Sequence, residues 1–231
     1  MHQFDLKNKT AIITGGAQGF GLDIAKRFLK SGTKAIIWDI DEEELKKAAK
    51  AVNDPNLSYN VVDVSDFKNV KDTVDEIAKS SNIDILINNA GNAHGLDSIE
   101  FGSSDDWDAM IDINVKGLLY VSKAIIPKMI AKASGHIINI GSTAGKEVYP
   151  NGNVYCASKY AVDAINQGMR LDLNGKGIKV GAINPGLVET EFSEVRFKGD
   201  TQRASKVYQN FTPLQPQDIA DVIYFAITRP P

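Results

Sequence analysis

The sequence has little cysteine: Cys156 is the only one among its 231 residues, so no disulfide can form within the chain. Such usage is typical of a reducing compartment, and we expect a cytoplasmic location. The first ten residues lack the apolar stretch of a signal peptide, and no apolar run approaches the ~18 residues that span a bilayer. Basic residues are also not in excess, because the net charge is −3. This argues against nucleic acid and anionic membrane as partners.

Short apolar runs alternate with longer helical patterns along the chain. The apolar runs predict strands at residues 11–14, 35–38, 59–64, 83–88, 136–140 and 179–183, and the helical patterns predict helices at 21–30, 41–52, 70–79, 106–131, 154–173 and 217–228. Strands rich in Val, Ile and Leu that alternate with helices indicate a parallel sheet covered on both faces. Because crossovers in such sheets are right-handed, we predict an α/β fold with a doubly wound, Rossmann-type sheet, built as one domain over residues 1–231.

A glycine-rich segment, TGGAQGFG at residues 14–21, follows the first predicted strand and opens the first helix. Glycines permit a tight turn and a close approach of the backbone to phosphate, while the free N–H groups and the helix dipole attract a pyrophosphate. A plain strand-to-helix turn can look the same, but the position inside a β-α-β unit favours nucleotide binding. The residues expected to contact the nucleotide here are Gly15, Gln18, Gly19, Phe20 and Gly21.

Asp39 ends the second predicted strand. A carboxylate at this place accepts hydrogen bonds from the adenosine ribose hydroxyls and repels a 2′-phosphate. No Arg or Lys stands close by, because Ile40 is followed by the acidic residues 41–44, which suit a solvated first helical turn. The sequence therefore predicts NAD rather than NADP. Asp63 ends the third predicted strand, and it is either an acceptor for the adenine amino group or an ordinary strand-end acid.

Tyr155 and Lys159 are four residues apart on a predicted helix and share one face. An ammonium group beside a phenol lowers the pKa of the phenol, so this tyrosine could exchange a proton with an alcohol or carbonyl near neutral pH. The Tyr-x-x-x-Lys pattern alone is common and mostly structural. Ser142 supports the chemical interpretation, because it follows the fifth predicted strand at the same edge of the sheet, where its hydroxyl could hold the reacting oxygen.

Other polar residues also follow predicted strands. The segment 88–91, Asn-Asn-Ala-Gly, ends the fourth strand, at the carboxyl edge where such folds bind ligands. Asn-Pro-Gly at 184–186 and then Thr190 follow the sixth strand. Asn114 lies inside a long predicted helix, where it is either functional or a satisfied polar residue at a kink. No histidine has partners at metal-ligand spacing, so no metal site is predicted.

In order and spacing, these motifs resemble the short-chain dehydrogenase/reductase family over essentially the whole chain. The resemblance implies hydride transfer between nicotinamide C4 and a carbonyl or alcohol carbon. It implies that Tyr155 donates or accepts the proton, that Lys159 holds the nicotinamide ribose and lowers the pKa of the tyrosine, and that Ser142 positions the substrate oxygen. It also implies that Asn114 supports a proton-relay water and that Thr190 contacts the nicotinamide carboxamide.

The cofactor-binding set expected from this resemblance extends beyond the glycine turn. It comprises Asp39, Ile40, Asp63, Val64, Asn89, Ala90, Gly91, Tyr155, Lys159, Pro185, Gly186, Val188 and Thr190. The family normally adds a seventh strand after the last helix, and this strand helps to build subunit contacts. The sequence has no such strand after its last predicted helix. A homo-oligomer, dimer or tetramer, is still the expected assembly.

The second half is similar to one branch of the family, the 3-hydroxy acid dehydrogenases. The segments that carry this similarity are GLVETEFS at 186–193, VRFKGD at 195–200 and VYQ at 207–209. It implies a small 3-hydroxy acid, such as serine or 3-hydroxypropionate, as the substrate. Members of that branch generally use NADP and carry basic residues after the second strand, where this chain has WDID at 38–41. The two halves therefore resemble different branches.

An acid substrate needs a cationic partner near the nicotinamide. The segment after Gly186 carries Arg196, Lys198 and Arg203, and the rigid fork of arginine matches a carboxylate. Arg196 is the predicted carboxylate ligand, with a solvated loop charge as the alternative. Two other functions stay open: a related enzyme that acts on neutral alcohols, sugars or 3-oxoacyl substrates, and a non-catalytic NAD-binding protein. The complete set of serine, tyrosine and lysine argues against the second.

Overall fold

A computed structural model of the chain describes residues 5–207 and 212–230, without the side chains of residues 204–206. Tyr208 and Gln209, which contribute to the similarity with 3-hydroxy acid dehydrogenases, lie outside the described residues. The strands are β1 (Thr10–Thr14), β2 (Lys34–Asp39), β3 (Leu57–Val61), β4 (Ile85–Asn88), β5 (Gly135–Ile140) and β6 (Ile178–Ile183). The α-helices are α1 (Gly19–Leu29), α2 (Glu42–Val52), α3 (Phe67–Ser80), α4 (Ser104–Ile111), α5 (Leu118–Ala131), α6 (Asn153–Asp172), α7 (Phe192–Arg196), α8 (Thr201–Lys206) and α9 (Pro216–Ile227).

The six strands form one parallel sheet in the order β3-β2-β1-β4-β5-β6. This confirms the predicted doubly wound, Rossmann-type α/β fold. The strand order reverses between β1 and β4, so the helices that follow these two strands, α1 and α5, pack on opposite faces of the sheet. The crevice at the carboxyl ends of such strands is where open α/β sheets bind ligands. Among the described residues, no strand follows α9.

Both faces of the sheet are buried by helices, because successive side chains of a strand point to opposite faces. On one face Ile13 packs with Phe28 of α1 and Ile223 of α9. On the other face Ile12 packs with residues of α3, α5 and α6, among them Ile125 and Val162. Within the part of the chain that the structure describes, no helix is both long enough and apolar enough to cross a bilayer.

The predicted helix at 106–131 is interrupted. Between α4 and α5 lies a π-helical turn, Asp112–Gly117, with wider winding than an α-helix. Gly117 lies against Val64, and a Cβ at Gly117 would come within 2.8 Å of the Val64 Cγ2 atom. Single π-turns inside helices are frequent at functional sites. Hydrophobic periodicity did not reveal this turn, because both flanking helices bury the same face.

Two further differences concern loops near the site. Strand β3 ends at Val61 instead of residue 64, so Asp63 and Val64 lie in the turn that leads to α3. After β6 the chain forms two short helices, α7 and α8, where no helix was predicted. Both are too short for the periodicity of apolar residues to be recognised.

Candidate active site

The glycine turn between β1 and α1 is built to approach a ligand with its backbone. Gly15 and Gly19 have φ angles of +61° and +52°, in the left-handed region that favours glycine. A Cβ at Gly15 would also come within 2.9 Å of the Ala90 Cα atom. Helix α1 begins at Gly19 with no side-chain cap from Gln18 and no acidic residue in its first turn. Its first N–H groups therefore have no partner within the helix or from its cap residue, which fits a pyrophosphate, although the Glu191 carboxylate also lies near Gly19.

The loop that follows β4 is bonded directly to this turn. The Thr14 hydroxyl accepts hydrogen bonds from the backbone N–H groups of Asn89, at 3.0 Å, and Ala90, at 2.9 Å. The Asn89 side-chain amide donates to the carbonyls of Thr14 and Gly15, each at 2.9 Å. Gly91 continues this loop beside Asn114 and Lys159. The structure thus brings together two predicted segments that are far apart in the sequence.

Asp39 ends β2, as predicted, but its carboxylate is already engaged. One oxygen accepts from the Ala17 N–H at 3.2 Å, and the other accepts from the N–H groups of Ile40, at 2.9 Å, and Asp41, at 3.3 Å. The carboxylate therefore holds the glycine turn against the end of β2, and its charge is partly compensated by backbone dipoles. The side chain of Ile40 is 67% exposed at the same edge.

Asp63 and Val64 lie beyond the end of β3. The Asp63 carboxylate accepts hydrogen bonds from the Ser65 backbone N–H at 2.8 Å and from the Ser65 hydroxyl at 2.6 Å, so one of its oxygens orders the local turn. Val64 is buried and lines a small cavity together with Thr14 and Ala90. The structure therefore places Val64 beside the glycine turn.

Tyr155, Ser142 and Lys159 meet at the carboxyl edge of β5. Ser142 follows β5 and accepts a hydrogen bond from the Ala144 N–H at 3.1 Å, which starts a short 3-10 turn, Thr143–Gly145. The Ser142 hydroxyl is also a hydrogen-bond partner of Tyr155 and lowers its pKa. Lys159 is buried, and its Nζ donates to the Ile140 carbonyl at 3.1 Å.

Burial dominates the charges of this group. It raises the pKa of Tyr155 to about 12, and hydrogen bonding to Ser142 and the charge of Arg196 lower that pKa only in part. Burial lowers the pKa of Lys159 to about 8. The sequence argument expected Lys159 to lower the pKa of Tyr155; the net shift has the opposite direction because burial is its largest cause. The ammonium lies 5.9 Å from the ring centroid of Tyr155 and bonds a backbone carbonyl instead.

Asn114 lies in the π-turn and is buried with all its main hydrogen-bonding groups engaged. Its Oδ1 accepts from the Asn92 N–H at 2.8 Å, and its Nδ2 donates to the Asn92 carbonyl at 2.8 Å and to the Ser158 hydroxyl at 3.0 Å. The side chain thus ties the loop after β4 to α6, the helix that carries Tyr155. This geometry fits the alternative of a satisfied polar residue at a kink, and a functional role for Asn114 stays a prediction.

The loop after β6 returns over the glycine turn. The Pro185 carbonyl accepts from the Thr143 N–H at 3.0 Å, so Gly186 begins beside the turn that Ser142 starts. Val188 is buried and pairs with Leu214 in an isolated bridge. Further along, the Thr190 side chain lies next to Gly19, since a Cβ on that glycine would be 3.8 Å from the Thr190 Cγ2 atom.

Arg196 is the last residue of α7 and lies between the loop after β4 and Tyr155. Its Nε donates to the Gly95 carbonyl at 3.1 Å, and its own carbonyl accepts from the Gly95 N–H at 3.1 Å. Its Cζ atom lies 5.6 Å from the ring centroid of Tyr155 and 5.5 Å from that of Tyr149. Nearby, the Lys198 ammonium pairs with Asp106 of α4 at 3.0 Å. Arg196 is therefore a fixed cation beside the candidate acid/base rather than a solvated loop charge.

Tyr155 and Arg196 line one open cleft between the loop after β4, the start of α4 and the start of α6. Other lining residues include His94 and Asp106. Sequence reasoning missed Tyr149, which contacts Arg196 from outside this lining set. The only signal for it was its position between Ser142 and Tyr155, on a loop that joins two elements of the site.

The comparisons with known proteins define the class. The family model for short chain dehydrogenases matches residues 9–201. An NADP-dependent 3-hydroxy acid dehydrogenase of Escherichia coli is 42% identical over 221 residues, which cover 95% of this chain and 89% of that protein. The corresponding protein of Schizosaccharomyces pombe is 39% identical over 229 residues, 97% of this chain and 88% of that protein. The chain belongs to the short-chain dehydrogenase family.

The solved structures give the same result. The closed form of serine dehydrogenase complexed with NADP⁺ superposes with a TM-score of 0.92 at 42% identity, over 96% of this chain and 90% of the other. The predicted family resemblance, including its 3-hydroxy acid branch, is thus confirmed.

The predicted preference for NAD over NADP was wrong. The relatives are named NADP-dependent, and the serine dehydrogenase structure contains NADP⁺. The sequence argument treated Asp39 as a free carboxylate directed at the ribose. In the structure both carboxylate oxygens accept backbone N–H groups, so the presence of an acid at this position did not determine the cofactor.

Proposed function

We propose that the protein transfers a hydride between NADP(H) and carbon 3 of a small 3-hydroxy acid, such as serine or 3-hydroxypropionate. The observation that carries this proposal is the pairing of Tyr155 with Arg196 in one cleft, with the guanidinium 5.6 Å from the tyrosine ring. A 3-hydroxy acid has its reacting carbon and its carboxylate close together, so it needs an acid/base and a cation at short range. The names of the relatives support the same substrate class and cofactor.

The residues of the chain divide the work of this reaction. In the oxidative direction Tyr155 Oη accepts the proton of the substrate hydroxyl, while the Ser142 hydroxyl holds the same oxygen. Lys159 binds the nicotinamide ribose, and Asn114 holds the loop after β4 against helix α6. Arg196 binds the carboxylate with its planar fork. When bound, the nicotinamide would supply the hydride acceptor, and its positive charge would favour the ionised form of the tyrosine.

The cofactor contacts assigned from the sequence stay part of this proposal. The glycine turn, with Gln18 and Phe20, holds the pyrophosphate, and the Thr190 side chain beside Gly19 contacts the carboxamide. Near the adenosine we place Asp39, Ile40, Asp63 and Val64; near the nicotinamide half we place Asn89, Ala90, Gly91, Pro185, Gly186 and Val188. We further propose one catalytic domain over residues 1–231 that assembles as a homo-oligomer.

A substrate panel tests the proposal. The purified protein is assayed with 3-hydroxypropionate, serine and a neutral alcohol of matched length, propane-1,3-diol, each with NADP and with NAD. We expect the highest kcat/KM for a 3-hydroxy acid with NADP. The variant Tyr155→Phe keeps the ring and removes the hydroxyl, so it should lose ~10²–10⁴-fold in kcat, the usual contribution of an acid/base group.

Two results would contradict the proposal. An equal kcat/KM for the diol and the acids would support the alternative function, a dehydrogenase for neutral alcohols. A Tyr155→Phe variant that keeps most of its kcat would assign the proton transfer to another residue. Binding of the reduced cofactor, followed by its fluorescence, serves as the control, because this variant should still bind it.

A further inference from the structure

Tyr149 lies close to the candidate active site, and the assignments above give it no role. It stands on the loop between the 3-10 turn Thr143–Gly145 and α6. Its ring packs on the turn that starts α6, since a Cβ at Gly152 would come within 2.1 Å of the ring. The Tyr149 carbonyl also accepts from the Gly152 N–H at 3.1 Å. The side chain is therefore held by the backbone that positions Tyr155.

The Tyr149 hydroxyl adjoins the guanidinium of Arg196. The Arg196 Cζ atom lies 5.5 Å from the centroid of the Tyr149 ring. The bond from Arg196 to the Gly95 carbonyl uses Nε and neither of the terminal amino groups. The Tyr149 hydroxyl lies near both Arg196 and Cys156, since the charge of Arg196 and hydrogen bonding to it lower the pKa of this hydroxyl, whereas hydrogen bonding to Cys156 raises that pKa. Tyr149 also interacts electrostatically with Tyr155, so the three groups are neighbours.

The chemistry of this pair suits an anion. Burial raises the pKa of the Tyr149 hydroxyl, and this effect exceeds the lowering by Arg196. The phenol is therefore neutral near pH 7 and can donate a hydrogen bond. A donor hydroxyl beside a guanidinium matches the two oxygens of a carboxylate, and such charge-assisted hydrogen bonds are the strong ones.

We propose that Tyr149 and Arg196 together bind the substrate carboxylate, with the tyrosine hydroxyl on one oxygen and the guanidinium on the other. This assignment rests on the proposed function, because only an acid substrate brings a carboxylate to the site. It makes Tyr149 a specificity-determining residue, which favours acids over neutral alcohols and fixes the end of the substrate that faces Tyr155.

The test compares Tyr149→Phe with Tyr160→Phe. Tyr160 is on α6 and 43% exposed, and its hydroxyl donates to the Lys146 carbonyl, so its variant also removes a hydroxyl hydrogen bond, but one that does not involve Arg196. For Tyr149→Phe we expect KM for 3-hydroxypropionate to rise roughly ten-fold, equivalent to about 1.4 kcal/mol, with kcat nearly unchanged. KM for propane-1,3-diol should change little. Tyr160→Phe should leave both values unchanged.

A double variant examines whether the two side chains share one anion. If they do, Tyr149→Phe in an Arg196→Ala background raises KM for the acid much less than it does in the wild type, because the effects of residues that bind one group are not additive. Full additivity would overturn the shared site.

Other results separate this proposal from the proposed function. An unchanged KM for the acid in Tyr149→Phe, or an equal rise for acid and diol, would overturn the role of Tyr149. In either case a wild-type preference for the acid would leave the proposed function standing. A wild-type protein without a preference for the acid would contradict both the role of Tyr149 and the proposed function.

Discussion

The proposed role of Lys159 requires a buried charge, which lowers the stability of the folded state. Its ammonium is buried and bonds the Ile140 carbonyl, and burial lowers its pKa from 10.5 to about 8. A shift of this size corresponds to about 3 kcal/mol at pH 7, since one pKa unit is ~1.36 kcal/mol. The proposed contact with the nicotinamide ribose explains why a cation is kept there.

Replacing this ammonium with an apolar group should stabilise the fold. In the variant Lys159→Met the new side chain has a similar volume and avoids most of the desolvation cost of the buried ammonium. It also loses one hydrogen bond of ~1 kcal/mol. We expect its midpoint of thermal unfolding at pH 7 to rise by about 4–8 °C, while kcat falls sharply. Lys50→Met, on the exposed face of α2, is the control and should leave the midpoint nearly unchanged. A midpoint that falls in Lys159→Met would show that the buried charge is fully compensated.

The pH dependence gives the same test with a defined sign. Between pH 8 and 10.5 the unfolded state holds a proton on Lys159 that the folded state has lost, so wild-type stability gains from rising pH in this range. The advantage of Lys159→Met in free energy of unfolding should therefore be full below pH 8 and shrink towards pH 10.5. A difference that stays constant across this range would contradict the lowered pKa.

Among the elements, the π-turn Asp112–Gly117 connects fold and site. Its wider winding lets Asn114 bond both backbone groups of Asn92 and the Ser158 hydroxyl. The same loop continues to Gly95, which exchanges two hydrogen bonds with Arg196. A change at the π-turn is therefore expected to reach the proposed carboxylate site through this loop.

Asn114→Ala leaves the Asn92 backbone groups without their partners, which costs ~1–3 kcal/mol in stability. We expect kcat to fall at least about ten-fold as well, because the loop after β4 and helix α6 lose their link. Asn166→Ala is the matched control: Asn166 is also buried on α6 and accepts from Asn139 at 3.0 Å. It should lower the unfolding midpoint similarly but keep most of kcat at temperatures well below both midpoints. Equal losses of kcat in the two variants would mean that Asn114 acts through stability alone.

At the scale of the whole molecule, the carboxyl ends and the amino ends of the strands differ in function. The carboxyl edge carries the glycine turn, Ser142 and the loops of the cleft, whereas the amino edge is closed by buried residues. His136 stands near the amino end of β5, and burial lowers its pKa from 6.5 to about 4. Its Nδ1 atom has no hydrogen-bond partner among the described residues. Acid should therefore weaken the fold at the edge remote from the site.

This predicts a specific acid sensitivity. Between pH 6.5 and 4 the unfolded state binds a proton on His136 and the folded state does not. The free energy of unfolding therefore decreases as the pH is lowered, by up to about 3 kcal/mol from this residue. His136→Leu should remove that part, and the gap in free energy of unfolding between variant and wild type should widen as the pH falls. Urea unfolding at several pH values measures it. Parallel pH curves for the two proteins would contradict the assignment to His136.

Local patterns in the sequence predicted much of the fold. Apolar runs of Val, Ile and Leu identified the central strands β1, β4 and β5, because strands buried on both faces leave little choice of residue, whereas β3 is largely exposed and its predicted end differed from the observed one. The spacing of Tyr155 and Lys159 predicted a shared helix face, because helical periodicity is a local property. The glycine turn was predicted for the same reason, since φ angles above zero favour glycine.

The tertiary structure alone decided which distant residues meet and what their charges become. Arg196 lies beside Tyr155 because α7 folds back onto Gly95, and Tyr149 completes that group through a loop with no periodic signal. The pKa of Tyr155 rises because burial outweighs its charged neighbours, a balance that spacing along the chain does not contain. Likewise the Asp39 carboxylate accepts from the backbone N–H groups of Ala17, in the glycine turn, and of Ile40, which follows β2. Periodicity and conformational preference are local, whereas desolvation and electrostatic partners depend on the packing of the whole chain.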